Sequence, residues 1–197
     1  MASTEETPAT ESTGGAPKTA APAKESSFRR ELRAWTRDLL LAIGLALVII
    51  VFLYRPVKVE GTSMAPLLED QERIFINQFV YRFESIQRGD VVVFWFPEDP
   101  SMSFIKRVIG LPGDRVEIRE GMVYVNDGPI AEPYVPGAFR VYENRPAVVV
   151  KRGYYYVLGD HRSKSFDSRF WGLVPQRYIY GKVVFAYWPP EHAGRVE

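Results

Sequence analysis

Residues 89–114, GDVVVFWFPEDPSMSFIKRVIGLPGD, decide the fold class of this chain. Two short runs of β-branched and aromatic residues, Asp90–Phe96 and Phe104–Ile109, precede the turn signal Leu111-Pro112-Gly113-Asp114. Such residues are enriched in strands, whereas Pro and Gly interrupt regular structure. The stretch therefore predicts two β-strands and a turn.

The same pattern of short runs and turns continues on both sides, from about residue 57 onward. Further strands are predicted at Arg73–Phe79, Arg115–Ile118, Met122–Val125, Ala147–Val150, Tyr154–Leu158 and Lys182–Trp188. Asn126-Asp127-Gly128 is another turn signal, and within this region Gln78–Ile86 has a short helical pattern. The predicted fold is mainly β: an antiparallel sheet domain over 57–190, with a β-ribbon at about 113–155 and a polar C-terminal tail at 191–197.

The N-terminal region has a different composition. Residues 1–27 are rich in Ala, Thr, Ser, Pro, Gly and Glu, which predicts a disordered tail. Residues 28–38 form a basic juxtamembrane segment with four arginines, and the sixteen residues from 39 to 54 carry no charge. We predict one transmembrane anchor at 39–56, with a cytoplasmic N-terminus because the arginines precede it. A buried helix and a cleaved signal peptide are the alternatives.

The charge balance and the absence of Cys exclude several function classes. Lys and Arg number 25 and Asp and Glu 24, so no net field favours nucleic acid as a partner. Without Cys there is no disulfide framework, no thiol nucleophile and no common zinc motif. Two His far apart in sequence add little metal-binding capacity. We expect no cofactor and no metal.

Ser63, in Glu60-Gly61-Thr62-Ser63-Met64-Ala65-Pro66, is a candidate nucleophile. A serine hydroxyl needs a base, which is either a His or a Lys kept neutral by burial. Lys106 suits the second case because strand alternation places it on one face with Phe104 and Val108. The alternatives are a serine in an ordinary turn and a lysine that points to solvent.

Four segments, in this order, resemble the motif blocks of type I signal peptidases: GTSMAP at 61–66, GDVVVF at 89–94, IKRVIGLPGD at 105–114 and GDHRSKSFDSRFWG at 159–172. The resemblance covers roughly residues 35–190. It implies the β-fold shared by signal peptidases and self-cleaving repressors. It also implies a membrane-bound serine endopeptidase that removes N-terminal signal peptides from exported preproteins through a Ser–Lys dyad and an acyl-enzyme.

The resemblance also implies residue roles. Ser63 attacks the scissile carbonyl, Lys106 takes its proton, and the Ser63 backbone N–H is one oxyanion donor. Ser165 matches the serine that orients the lysine, and Asp167 and Arg169 match a supporting ion pair. No catalytic role is assigned to His161.

One departure concerns the oxyanion site. Gly61 stands where some members of the family carry a serine hydroxyl as second oxyanion donor, so the identity of that donor stays open.

Substrate recognition follows from the same resemblance. Signal peptides end in small residues, so shallow apolar pockets are expected, and the matching positions are Val59, Met64, Leu68, Phe104 and Ile105. An extended substrate is expected to pair with strand edges near Val57–Gly61 and Ser101–Lys106. The implied partners are secretory preproteins, the lipid bilayer of the bacterial cytoplasmic membrane and the protein translocation machinery, with no nucleic acid.

Two other functions remain open. A membrane-tethered β-domain that binds an exported partner would leave Lys106 exposed and far from Ser63. A self-cleaving regulator of the repressor type would carry a DNA-binding helical domain at its N-terminus.

Overall fold

The computed structural model describes residues 25–196, except for the side chains of residues 25–27 and 49–53. The chain divides into two compact units at the boundary between Ala46 and Leu47. Of the predicted disordered tail, residues 1–24 lie outside the described part. Residues 25–27 are already helical, so the prediction was wrong for these three positions.

The first element is helix α1, Glu25–Leu53, which includes the basic segment at 28–38. Its apolar side chains from Leu39 to Val48 are exposed. Within residues 25–196, no helix combines the length and apolar character needed to cross a membrane. The predicted end of the anchor at residue 56 was wrong, because residues 54–56 belong to a strand that pairs with residues 73–77.

Within residues 54–196, twelve strands follow: β1 Tyr54–Lys58, β2 Arg73–Asn77, β3 Val91–Trp95, β4 Ser103–Gly110, β5 Arg115–Arg119, β6 Met122–Val125, β7 Gly128–Pro129, β8 Arg145–Val149, β9 Tyr154–Leu158, β10 Val174–Pro175, β11 Ile179–Trp188 and β12 Gly194–Arg195. Two short α-helices, α2 Val80–Phe83 and α3 Ser168–Trp171, lie between them. The 3-10 helices are Gly137–Phe139, Arg162–Lys164, Gln176–Tyr178 and Pro190–His192.

The strands form two antiparallel sheets. The larger has the order β1-β2-β11-β3-β4-β9-β10, with β12 paired to β11, and the smaller has the order β7-β6-β5-β8. Three apolar clusters fill the interior. One joins β2, β3 and β11 to the segment after β1, the second contains Val92, Phe94 and Val157, and the third joins β4 and β9 to the smaller sheet.

The predicted mainly β fold is confirmed, and each predicted strand overlaps an observed one within a few residues. The predicted helix contracts to α2. Strand β1 was missed because the predicted anchor covered most of it, and β7, β10 and β12 were missed because each has two residues. Within the polar C-terminal tail at 191–197, β12 pairs with β11 and Val196 is buried in the core.

Gly110, at the end of β4, shows how tightly the two sheets pack. A Cβ at this position would lie 2.6 Å from Val116 Cγ2, 2.9 Å from Val150 Cγ2 and 3.0 Å from Tyr156 Cβ. All three neighbours belong to the third apolar cluster. We expect Gly110→Ala to lower the free energy of unfolding by about 1–3 kcal/mol, measured by urea denaturation in detergent.

Gly137→Ala is the matched control, since a Cβ there meets nothing within 4 Å. Its free energy of unfolding should stay within about 0.5 kcal/mol of the unmodified chain. Equal stability of the two variants would contradict the packing described at Gly110.

Candidate active site

Ser63 lies in the segment between β1 and β2. The side chains of Met64 and Leu68 hold this segment in place because they are buried in the core, with 1% and 0% of their surface exposed. Its turn is closed by hydrogen bonds from the Ala65 N–H to the Thr62 carbonyl, 3.2 Å, and from the Leu68 N–H to the Met64 carbonyl, 3.0 Å. Ser63 is itself half-buried, so its hydroxyl is both fixed and reachable.

Gly61 allows the sharp bend that precedes the serine. Its φ is +90°, a conformation that side chains with a Cβ rarely adopt. Its N–H donates to Asp70 Oδ1 at 2.8 Å, and this bond lowers the pKa of the Asp70 carboxyl. The Gly61 N–H is therefore already committed within the protein.

Lys106 lies on β4 and is 3% exposed. Its Nζ is 2.7 Å from Ser63 Oγ, donates to the Ile105 carbonyl at 3.1 Å, and lies 5.3 Å from the Phe104 ring centroid. Within residues 25–196 the amine forms no ion pair with a carboxylate. The structure thus joins the two residues singled out in the sequence, which are 43 positions apart.

Burial lowers the pKa of Lys106 from 10.5 to about 8. Removal of water disfavours the charged ammonium, and this effect exceeds the opposing attraction of Asp167 and Asp160. At pH 7 about one molecule in ten would hold a neutral amine, against about one in 3,000 for an ordinary lysine. Burial therefore makes Lys106 a usable base.

A groove with a cavity volume of about 340 Å³ opens at Ser63 and Lys106. Of the predicted substrate-contacting residues, it is lined by Val59, Met64, Phe104 and Ile105. Leu68 does not line it, because its side chain points into the core and is fully buried. Tyr180 and Val93 contribute to the wall and were not predicted.

Unpaired strand edges border this groove. β1 is the terminal strand of the larger sheet. β4 pairs with β3 from Ser103 to Arg107 but with β9 only from Arg107 onward, so the start of β4 has a free edge within the described chain. Both edges can accept main-chain hydrogen bonds from an extended peptide.

Asp167 and Arg169 form a buried ion pair beside the site. Arg169 Nε donates to Asp167 Oδ1 and Nη2 to Oδ2, both at 2.8 Å, and the side chains are 2% and 0% exposed. Asp167 also accepts from the N–H groups of Gly159 and Arg169, and Arg169 Nη2 donates to the Arg162 carbonyl. The pair thereby fixes the loop from Gly159 to α3.

Ser165 was expected to bond and orient Lys106, and this contact is not formed. Its Oγ is buried and has no hydrogen-bond partner among residues 25–196. It lies against Gly159, where an added Cβ would collide with Ser165 Oγ and would approach the Ser63 carbonyl oxygen to 2.5 Å. Ser165 thus lies close to the backbone of Ser63, and its hydroxyl is unbonded within residues 25–196.

His161 was given no role from the sequence, yet it contacts the segment that carries Ser63 directly. Its backbone N–H donates to the Ser63 carbonyl at 3.0 Å, and its Nδ1 lies 3.3 Å from the Thr62 carbonyl. Its ring stacks on Phe139 with centroids 3.8 Å apart. His161 therefore positions the backbone on which the serine sits.

Two further ion pairs fix the residues on either side of His161. Arg107 donates three hydrogen bonds to the Asp160 carboxylate, and Arg162 donates two to the Glu132 carboxylate. All four side chains are almost fully buried. In the sequence, Asp160-His161-Arg162 is a run of three polar residues. Such a run is also typical of exposed loops, so the sequence did not reveal that these side chains are buried and paired.

The arrangement bears on the alternatives left open above. A partner-binding β-domain required an exposed Lys106 far from Ser63, whereas the amine is buried and adjacent to the hydroxyl. A repressor-type regulator required an N-terminal helical domain, and the described N-terminal part is the single helix α1.

Comparison with known proteins identifies the relatives of this chain. Residues 32–188 match the family model described as signal peptidase, peptidase S26. The chain is 35% identical over 178 residues to signal peptidase IB of Staphylococcus aureus strain Mu50, with 82% of this chain and 92% of the relative covered. It is 38% identical over 167 residues to a probable signal peptidase I-1 of Synechocystis, covering 80% and 83%.

A signal peptidase I of Bacillus licheniformis is 34% identical over 181 residues, covering 84% of this chain and 94% of the relative. Among solved structures, a signal peptidase I from Enterococcus faecalis V583 matches with 33% identity and a TM-score of 0.45. That match covers 50% of this chain and 97% of the other.

Proposed function

Because the chain belongs to the signal peptidase family, peptidase S26, and is thus a hydrolase that removes signal peptides, we propose that Ser63 and Lys106 carry out the cleavage. The observation that supports this assignment is the 2.7 Å separation between Ser63 Oγ and the Nζ of a lysine that is 3% exposed. A base within hydrogen-bond reach of its nucleophile, with its pKa lowered to about 8, can act near neutral pH.

In the first half of the reaction, Ser63 Oγ attacks the carbonyl carbon of the scissile peptide bond while neutral Lys106 accepts the hydroxyl proton. The tetrahedral intermediate collapses as the resulting ammonium returns a proton to the leaving amine. The mature protein departs with a free amino terminus, and the signal peptide stays on Ser63 as an ester.

In the second half, Lys106 is neutral again and takes a proton from water, whose oxygen attacks the ester carbonyl. The ammonium then protonates Ser63 Oγ as the ester bond breaks. The signal peptide leaves with a free carboxyl group, and the dyad returns to its starting state.

The oxyanion is proposed to bind the Ser63 backbone N–H, for which no acceptor appears among residues 25–196. A preorganised N–H donor of this kind is worth several kcal/mol in acyl transfer. Gly61 supports the site through the backbone bend that precedes Ser63. Its own N–H donates to Asp70 Oδ1 and is not available to the oxyanion. It is therefore not the second donor.

Substrate selection is proposed to rest on small pockets and on main-chain pairing. Val59, Met64, Phe104 and Ile105 line the groove with apolar surface beside the reacting atoms, which suits small side chains just before the cut. The free edges of β1 and β4 suit an extended chain. Preproteins with small residues before the cleavage point are the proposed substrates.

Asp167 and Arg169 are proposed as positioning residues that hold the Gly159 loop against the nucleophile segment. Ser165 is proposed to support the same loop by packing against Gly159. Neither role involves contact with the reacting carbonyl.

We also propose that the apolar segment at 39–53, the C-terminal part of α1, holds the chain at the bacterial cytoplasmic membrane, with the catalytic domain on the exported side. Leu39, Leu40, Leu41, Leu45 and Leu47 are each more than half exposed, which favours contact with lipid. The four arginines before them favour a cytoplasmic N-terminus. Interaction with the protein translocation machinery would follow from this placement.

Loss of either dyad residue should abolish cleavage. Ser63→Ala removes the nucleophile, and Lys106→Met removes the base while filling the buried site with an apolar chain of similar length. We expect kcat/KM for a preprotein in detergent to fall by about 10³-fold or more in each variant. Gel analysis of the processed product measures this loss.

Lys164→Met is the control for the lysine variant, because Lys164 lies at the same groove but is exposed. It should retain cleavage within a few-fold. Lys106→Arg should be inactive because guanidinium stays charged. Normal cleavage by Ser63→Ala or Lys106→Met would refute the proposed dyad.

The pH dependence should follow the titration of Lys106. Below its pKa the amine is protonated and cannot accept the serine proton, so kcat/KM should fall about tenfold per pH unit below about pH 8 and level off above it. Steady-state kinetics from pH 6 to 10 test this. A plateau that begins only near 10.5 would show that burial does not lower the pKa.

Membrane attachment can be tested with the full chain. In flotation with phospholipid vesicles, the unmodified protein should rise with the lipid and resist extraction by alkaline carbonate. The double variant Leu41→Asp and Leu45→Asp should remain in the dense fraction, because buried carboxylates are costly in lipid. Equal flotation of both proteins would contradict the assigned segment.

A further inference from the structure

A cluster of three side chains lies outside the groove and has no part in the proposed reaction. Glu69 and Glu72 belong to the turn before β2, and His192 ends the 3-10 helix Pro190–His192. One ligand atom from each lies within 4.8 Å of the others. Nδ1 of His192 is 2.9 Å from Glu72 Oε1 and 3.9 Å from Glu69 Oε2.

The Glu72 carboxylate has one oxygen without a partner among the described residues. Its side chain is 4% exposed, and its carboxyl group faces His192 through Oε1. The other oxygen, Oε2, is buried without a hydrogen-bond partner among the described residues. Within residues 54–196, both carboxylates contact the His192 ring nitrogen, and no arginine or lysine forms an ion pair with either of them. A buried carboxylate oxygen without a partner is costly, and a cation would satisfy it.

We propose that Glu69, Glu72 and His192 bind one divalent transition-metal cation, for which Zn²⁺ is the best match. Imidazole nitrogen and carboxylate oxygen are both zinc ligands, with bonds of about 2.0–2.2 Å. Two such ligands in a tetrahedral site lie about 3.4 Å apart, and the observed separations of 2.9 and 3.9 Å bracket this value. Water would complete the coordination.

The position of the cluster gives the ion a structural effect. Turn 69–72 holds the chain that leads to Ser63: the Val59 N–H donates to the Glu72 carbonyl at 2.7 Å, and the Gln71 N–H donates to the Val59 carbonyl at 2.9 Å. His192 is 120 positions away in sequence. A bound cation links the C-terminal segment to this turn and stabilises both.

The sequence alone gave no indication of this site. Zinc motifs are recognised by ligands a few residues apart, whereas here one ligand comes from a distant segment. The two carboxylates also occupy a turn, where acidic residues are common without a ligand.

The test uses the full chain without an affinity tag, purified in detergent, stripped with EDTA and titrated with ZnCl₂ in a calorimeter. It is done in the Ser63→Ala background, so that the result does not depend on the proposed catalytic dyad. We expect saturable binding of one Zn²⁺ per chain and a rise of several degrees in the melting temperature.

His192→Ala and Glu69→Gln change half-exposed or exposed positions and should leave the fold intact. Each should weaken Zn²⁺ binding at least tenfold and remove most of the thermal shift. Glu191→Gln, which alters an exposed neighbour outside the cluster, should bind as the parent does. Absence of saturable binding, or equal binding by all four proteins, overturns the proposal.

Discussion

Removal of the Lys106 amine from water is the constraint on which the rest of the site depends. An ordinary lysine near neutral pH is almost always protonated and cannot accept a proton from a serine. The fold lowers the pKa by surrounding β4 with apolar residues and by keeping carboxylates out of ion-pair distance of Nζ. Asp160 and Asp167 are nearby, but each is neutralised by its own arginine. The paired carboxylates can therefore organise the loop without holding the lysine in its charged form.

The loop from Gly159 to α3 carries both of these carboxylates and also contacts Ser63, the proposed nucleophile. Three buried ion pairs, Arg107–Asp160, Arg162–Glu132 and Arg169–Asp167, fix its path. Buried pairs of this kind contribute little net stability. Separating the two partners would leave an uncompensated buried charge, so the pairs hold the loop in one conformation. The His161 N–H donates to the Ser63 carbonyl and so fixes the position of the Ser63 backbone relative to the loop. The loop thus acts as a rigid support for the serine.

Much of this could be predicted from the sequence, and the failures have physical causes. The strand runs were readable because β-branched and aromatic residues were separated by Gly and Pro turns. Motif order singled out Ser63 and Lys106 as candidates, and the structure places their side chains in contact. The free hydroxyl of Ser165 could not be foreseen, because a hydrogen bond depends on positions of a few tenths of an ångström. Leu68 was misplaced because core and groove walls use the same apolar residues. The end of α1 was misjudged because Tyr54 continues the uncharged run, while pairing with β2 decides its conformation.

The free edges of β1 and β4 have a consequence for how many substrates one such chain can serve. Hydrogen bonds to a peptide backbone are the same for every amino-acid sequence, so an edge-paired substrate is held mostly by atoms that all proteins share. Side-chain identity then matters only at the few positions that enter the groove wall. An enzyme built in this way can treat precursors with otherwise unrelated sequences as chemically equivalent, and its breadth comes from unsatisfied backbone groups more than from tolerant pockets.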